Sequence, residues 1–137
     1  MRLRRHLRRI QSILYSRREI TIEQFRAKET VPDREGIIEG RLRFWDDSLL
    51  EFTETLVEQE VVLIKTDYAY HYQDADGNLI FRYDNAPHHP EVSTHPHHRH
   101  TPEGVGPADP PDLNDVLREI DERLYGARES NVPEVRR

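Results

Sequence analysis

Residues 67–100 read DYAYHYQDADGNLIFRYDNAPHHPEVSTHPHHRH, and this stretch decides the fold. On both sides of Asp76-Gly77 aromatic or aliphatic residues alternate with polar ones, a period of two that predicts half-buried strands. Glycine tolerates the positive φ that a tight hairpin turn requires. The two strands are therefore expected to pair antiparallel. A loop follows them, and the whole stretch holds seven of the eight histidines.

The chain before and after this stretch continues the same kind of pattern. Three alternating segments before it predict strands around 19–25, 38–44 and 50–56. The two strands of the hairpin are then the fourth, at 61–72, and the fifth, at 79–83. The connections between them are too short for crossover helices, so the sheet should be an antiparallel meander. Apolar stripes at helical spacing predict a helix at each end of the chain. The predicted fold class is α+β, with about five strands packed by an N-terminal and a C-terminal helix.

A chain of 137 residues is expected to form a single domain, here spanning 1–126. Within it we place a basic helix at about 2–16, the sheet at about 19–84 and the last helix at about 112–125. A Pro/His-rich loop at 85–111 holds seven of the nine prolines, and proline cannot continue a central strand. Residues 127–137 are expected to be a disordered tail.

Composition restricts the class of protein. The chain has no cysteine, and no apolar run approaches the roughly 20 residues of a membrane span; we expect a soluble cytoplasmic protein without a membrane partner. The net charge is −6, yet residues 1–18 carry seven arginines and no acid, which leaves −13 on the rest. These arginines could be a solvated face, could grip phosphate, or could dock on an acidic partner.

Six histidines between 88 and 100 form the most unusual cluster in the sequence. In an extended segment His95 and His97 point one way and His98 and His100 the other, so each pair could chelate a metal. Asp84 or Glu91 could add a carboxylate, a set that suits zinc, manganese or iron. Two alternatives stay open at this point, a hydrogen-bonded loop whose imidazoles bind carbonyl groups and catalysis without a metal.

RNA cleavage without a metal needs a base for the 2′-hydroxyl, an acid for the departing 5′-oxygen and a cation for the phosphorane charge. The candidate catalytic residues in this stretch are Tyr70, His71, Arg82, Asp84 and His88. Each has a simpler explanation too: Tyr70 could fill a core face, and Arg82 could merely pair with Asp84. The sequence pattern alone does not decide between these roles.

Four blocks of the chain point to a family: residues 42–52 (LRFWDDSLLEF), 68–74 (YAYHYQD), 81–91 (FRYDNAPHHPE) and 95–100 (HPHHRH). In this order they resemble the TumE-like toxins of prokaryotic toxin–antitoxin modules. The resemblance implies a small cytoplasmic toxin neutralised by a cognate antitoxin protein. The sequence departs from the family pattern at Ala69, where a basic residue is usual, and in its arginine-rich first helix.

Together these observations predict a toxin component that acts on RNA or on translation, with ribonuclease activity as the leading hypothesis. Its site would combine the five candidate catalytic residues with a zinc or manganese ion on the loop histidines, which are His95, His97, His98 and His100. RNA is the candidate substrate, and a homodimer is a further option. The alternative is a non-enzymatic binding module whose loop holds a structural metal or docks a protein partner.

Overall fold

The computed structural model describes residues 2–130, which form two helices and one open antiparallel sheet of seven strands. The strands lie in the sheet in chain order, so each pairs with its sequence neighbours. The elements are α1 (Arg2–Tyr15), β1 (Thr21–Val31), β2 (Glu35–Arg43), β3 (Leu49–Gln59), β4 (Val62–Gln73), β5 (Leu79–Asp84), β6 (His98–Thr101), β7 (Gly104–Pro107) and α2 (Leu113–Ser130).

The α+β class and the antiparallel sheet are confirmed, but the prediction of about five strands is wrong. The two additional strands, β6 and β7, lie inside the segment 85–111 that was predicted to be a loop. Its prolines do not interrupt them, because Pro102 occupies the turn between the two strands and Pro107 ends the edge strand β7. Strands of four residues are too short to show a clear period of two.

Both helices pack against the same face of the sheet. Leu3, Ile10 and Leu14 of α1 join one buried cluster with residues of α2, and the central strands β2 to β5 supply the facing side chains. Those side chains are at alternate positions, as a strand with one buried face requires. They are Ile38, Leu42, Leu50, Phe52, Leu56, Tyr68, Tyr70, Tyr72 and Phe81. The opposite face of the sheet carries no helix among the described residues.

The helix boundaries differ from the prediction mainly at the C-terminal end. Helix α1 ends at Tyr15, close to the expected position, whereas α2 continues to Ser130 instead of ending near 125. The expected tail at 127–137 therefore begins inside α2, and its last part, 131–137, lies outside the described residues. Neither described helix is long and apolar enough to cross a membrane.

Gly40 sets how closely β2 and β3 approach on the helix-covered face. It lies directly opposite Phe52 in the β2–β3 register, and the Phe52 ring covers it. A Cβ atom at position 40 would be 2.3 Å from Cε1 of Phe52, well inside van der Waals contact. Glycine is therefore required here so that the aromatic ring can lie flat over the strand, an arrangement known to support glycine in sheets.

The substitution Gly40→Ala should destabilise the protein by about 1–3 kcal/mol, the usual cost of overpacking a core. Denaturant-induced unfolding monitored by circular dichroism would measure the loss. Gly106→Ala is the matched control, because a Cβ at that position of β7 meets nothing within 4 Å. Equal effects of the two substitutions would contradict the assigned role of Gly40.

Candidate functional site

The uncovered face of the sheet aligns chemically active side chains in two neighbouring rows. Each row runs across strands β2 to β6, with one residue from each strand, and neighbouring residues in a row are cross-strand partners. The first row is Arg41, Glu51, His71, Arg82 and His100. The second row is Glu39, Thr53, Ala69, Asp84 and His98. The register thus gathers residues that are up to 61 positions apart in the chain (100 − 39).

Asp84 is the centre of this arrangement, although its side chain is only 7% exposed. Oδ1 accepts a hydrogen bond from the amide of Ala86 at 3.0 Å and lies 2.9 Å from Nε2 of His98. Oδ2 accepts one from Nε of Arg82 at 2.9 Å and lies 3.5 Å from Nε2 of His100. One carboxylate therefore joins β5, β6 and the loop that follows β5. Ala69 leaves room for this cluster, because it is the small residue opposite Asp84.

The surroundings of Asp84 keep it ionised. Burial disfavours the charged carboxylate, but the Ala86 amide, Arg82 and His98 outweigh that effect and hold the pKa of Asp84 below its ordinary value. Burial also lowers the pKa of His100, and the neighbouring His98 and His89 lower it further against the attraction of Asp84. The His100 ring is accordingly neutral at neutral pH, the form that can accept a proton or bind a metal.

Three imidazoles meet beside Asp84. The ring of His89, in the loop after β5, lies 5.0 Å from that of His98 and 5.4 Å from that of His100, and the last two are 4.8 Å apart. Each can offer one nitrogen such that the three nitrogens lie within 4.8 Å of one another. This group, which we call the imidazole cluster, is the part of the described chain that could hold a metal ion.

Arg82 connects the imidazole cluster to an open groove. Its Nη1 lies 3.4 Å from Nδ1 of His71 on the neighbouring strand, and Nε2 of His71 lies 3.1 Å from the side-chain oxygen of Gln73. The groove has a volume of about 500 Å³ and runs along the uncovered face beside His71 and Arg82. Its floor also includes Arg41, whose charge is compensated by Glu23 and Glu51. Arg82 thus borders both features, and His71 borders the groove.

The structure brings five of the residues predicted from sequence together and separates the other four. His71, Arg82, Asp84, His98 and His100 share the uncovered face. His88 is exposed in the loop, and its side chain makes no hydrogen bond within residues 2–130. The ring of His95 contacts the main-chain oxygen of His89 at 3.2 Å.

His97 and Tyr70 lie on the helix-covered side of the sheet. His97 stacks on Tyr68 and its Nδ1 is 2.9 Å from the Tyr68 hydroxyl. Tyr70 is completely buried and donates a hydrogen bond to Glu54 at 2.5 Å. Its hydroxyl also accepts one from Lys65 at 2.6 Å. Tyr70 therefore belongs to an internal polar network.

His89 is the one member of the imidazole cluster that was not assigned to the site from the sequence. It is adjacent to His88, and no strong sequence signal distinguishes the two histidines. The only available signal was the carboxylate two residues later, since Nδ1 of His89 lies 3.0 Å from Oε2 of Glu91. A His-x-Glu pair can make this contact in a turn, but the pattern is too common to identify a site.

A comparison with known families supplies the functional class of the protein, which the geometry of the site does not give. The family described as Toxin TumE matches residues 8–124, which include the whole sheet and the imidazole cluster. The chain belongs to the TumE toxin family. The resemblance of the four sequence blocks is thereby confirmed, and TumE membership makes a toxin function the established coarse assignment. No curated protein and no solved structure matches the chain.

The internal network of this TumE-family protein permits a test of stability against pH. Burial opposes the charge of Glu54, but His6, Lys65 and Tyr70 together hold its pKa below the ordinary value. A carboxylate with a lowered pKa stabilises the fold above its unfolded-state pKa, and that contribution disappears as the pH falls through the folded-state pKa.

Glu54→Gln should therefore destabilise the protein at pH 7, by about 1.5–3 kcal/mol for lost hydrogen bonds to a charged group. The difference from wild type should shrink as the pH falls below the ordinary glutamate pKa of about 4.3 and through the lowered folded-state pKa of Glu54. Urea unfolding at several pH values would measure both effects. Glu51→Gln is the control on the uncovered face, where the Glu51 side chain is 47% exposed; an equal loss there would contradict the prediction.

Proposed function

We propose that this TumE-family toxin acts on RNA by cleaving phosphodiester bonds at the groove beside Arg82 and His71. The observation that carries the proposal is the Asp84–Arg82–His71 chain of contacts, which aims a guanidinium group and an imidazole at one open groove.

Arg82 is suited to hold the scissile phosphate. Asp84 binds its Nε and so fixes the planar group, while Nη1 faces His71 and the residue lines the groove. A guanidinium group can bind two phosphate oxygens at once and stabilise the charge that develops on them. Because the cation is already positioned, it would favour the phosphorane-like transition state over the starting diester.

His71 is suited to transfer the proton. The contact of Nε2 with Gln73 favours the tautomer that carries its hydrogen there, which leaves the lone pair of Nδ1 facing Arg82. When a phosphate takes the place of His71 beside Nη1 of Arg82, Nδ1 becomes available to take a proton from a 2′-hydroxyl. The 2′-oxygen then attacks phosphorus and forms a 2′,3′-cyclic phosphate. The bond to the 5′-oxygen breaks, and that oxygen takes a proton from solvent water.

The same proposal includes a protein partner. A toxin that cleaves RNA in the cytoplasm must be neutralised in the cell that makes it, and membership of a toxin family supports a cognate antitoxin as that partner. Exposed arginines on α1, which lies on the side of the sheet away from the groove, provide a second surface that an acidic protein could contact. A homodimer stays a prediction from the sequence.

The decisive experiment expresses the wild type and three variants and scores growth arrest together with the integrity of cellular RNA. Arg82→Ala should reduce cleavage by roughly 100-fold or more, as expected for loss of a group that stabilises the transition state. Arg82→Lys should recover only part, because a point charge replaces a planar fork. Arg118→Ala is the matched control, since that arginine is 68% exposed on α2 and pairs only with Asp115 among the described residues.

The competing function, a binding module without catalysis, makes the opposite prediction. Arrest would then occur while RNA stays intact, and Arg82→Ala would have no more effect than Arg118→Ala. Purified wild-type protein incubated with RNA, alongside His71→Gln, separates the two cases in the absence of other cellular nucleases. Intact RNA in that assay would overturn the proposed reaction.

A further inference from the structure

We infer that His89, His98 and His100 form a binding site for one divalent transition-metal ion, with zinc the best fit. This inference does not depend on the proposed RNA cleavage, because it rests on the geometry of the imidazole cluster alone. It differs from the ligand set expected from the sequence, which comprised His95, His97, His98 and His100.

The distances within the cluster are close to those of a metal site. Zinc binds imidazole nitrogen at about 2.0–2.1 Å, so two ligands of one ion are at most about 4.2 Å apart. The three ligand nitrogens of the imidazole cluster lie within 4.8 Å of one another. Side-chain rotations that shorten the longest of these separations by about 1.5 Å would bring the nitrogens to the roughly 3.3 Å expected around a tetrahedral ion.

Two of the rings are already held in the orientation that a metal requires. Nδ1 of His98 lies 2.8 Å from the carbonyl oxygen of Pro96, and Nδ1 of His89 lies 3.0 Å from the carboxylate of Glu91. An imidazole that donates its Nδ1 hydrogen to a carbonyl or carboxylate presents Nε2 as the ligand, and metal-binding histidines usually have such a partner. No hydrogen bond within residues 2–130 engages Nε2 of His89.

Asp84 lies beside two of the three imidazoles. Its oxygens lie 2.9 Å from Nε2 of His98 and 3.5 Å from Nε2 of His100, close to the separation of neighbouring ligands around one tetrahedral zinc ion, which is roughly 3.3 Å from the bond lengths. The carboxylate would balance part of the metal charge.

The chemistry of the donors selects among metals. Three imidazoles with a carboxylate beside two of them suit zinc, manganese or iron, whereas magnesium prefers oxygen ligands and retains its water. The site is sheltered but accessible, since the His98 side chain is 1% exposed while those of His89 and His100 are 30% and 26% exposed. Zinc therefore has both a ligand set and an entry path.

The test uses the full chain after removal of any affinity tag and treatment with a chelator. Zinc chloride is titrated into the protein in a calorimeter, and cobalt(II) is used in parallel because its visible spectrum reports tetrahedral nitrogen and oxygen ligands. We expect one ion per chain and a higher Tm in the presence of zinc. Binding is measured without RNA, so its outcome is independent of the ribonuclease assay.

The variants distinguish this site from adventitious zinc on a histidine-rich surface. His89→Gln and His100→Gln should each abolish stoichiometric binding, and Glu91→Gln should weaken it by roughly tenfold, as loss of an outer hydrogen-bond partner does. His88→Gln is the matched control, because it removes an exposed imidazole from the same loop. All four positions are at least partly exposed, so the variants should fold, and circular dichroism would verify this.

Two results would overturn the inference. One is the failure of the chelator-treated wild type to take up zinc or cobalt with one-to-one stoichiometry. The other is a set of variants in which His89→Gln and His100→Gln bind zinc as tightly as His88→Gln does.

Discussion

The buried carboxylate of Asp84 is the constraint on which the uncovered face of the sheet depends. An ionised group that is almost fully buried must be matched by nearby donors, and here they come from three separate pieces of chain. Arg82 belongs to the same strand, His98 and His100 to β6, and the Ala86 amide to the start of the loop. Satisfying this one group therefore fixes the short strand β6, orients Arg82 and brings the loop back over the sheet.

The two faces of the sheet carry different polar chemistry. On the helix-covered face Glu54 is paired with Tyr70, Lys65 and His6 inside the core. On the uncovered face the partners of Asp84 border a groove that is open to solvent. A polar network that is closed stabilises the fold, whereas one that opens onto a groove can also bind a ligand. This difference, more than residue type, distinguishes Tyr70 from His71.

TumE-family membership and the geometry of the site provide two different kinds of evidence. The family provides the toxin class, which no distance in the structure could supply. The structure provides the positions of a cation, an imidazole and a possible metal-binding cluster within one face, which the family description does not contain. Arg82 links the two proposed sites, since it contacts Asp84 beside the imidazole cluster and His71 beside the groove. A metal beside Asp84 would add positive charge near the same groove.

The sequence alone determined the α+β class, the antiparallel order, the two helices and the family, because period-two alternation and helical stripes are local patterns. It also identified Arg82, Asp84, His98 and His100 as candidates. Only the tertiary structure showed the strands β6 and β7, whose pairing partners supply the stability that four residues lack. It likewise decided that His89 rather than His88, His95 or His97 lies against His98 and His100. The direction of a loop side chain is set by contacts distant in sequence, and spacing does not encode them.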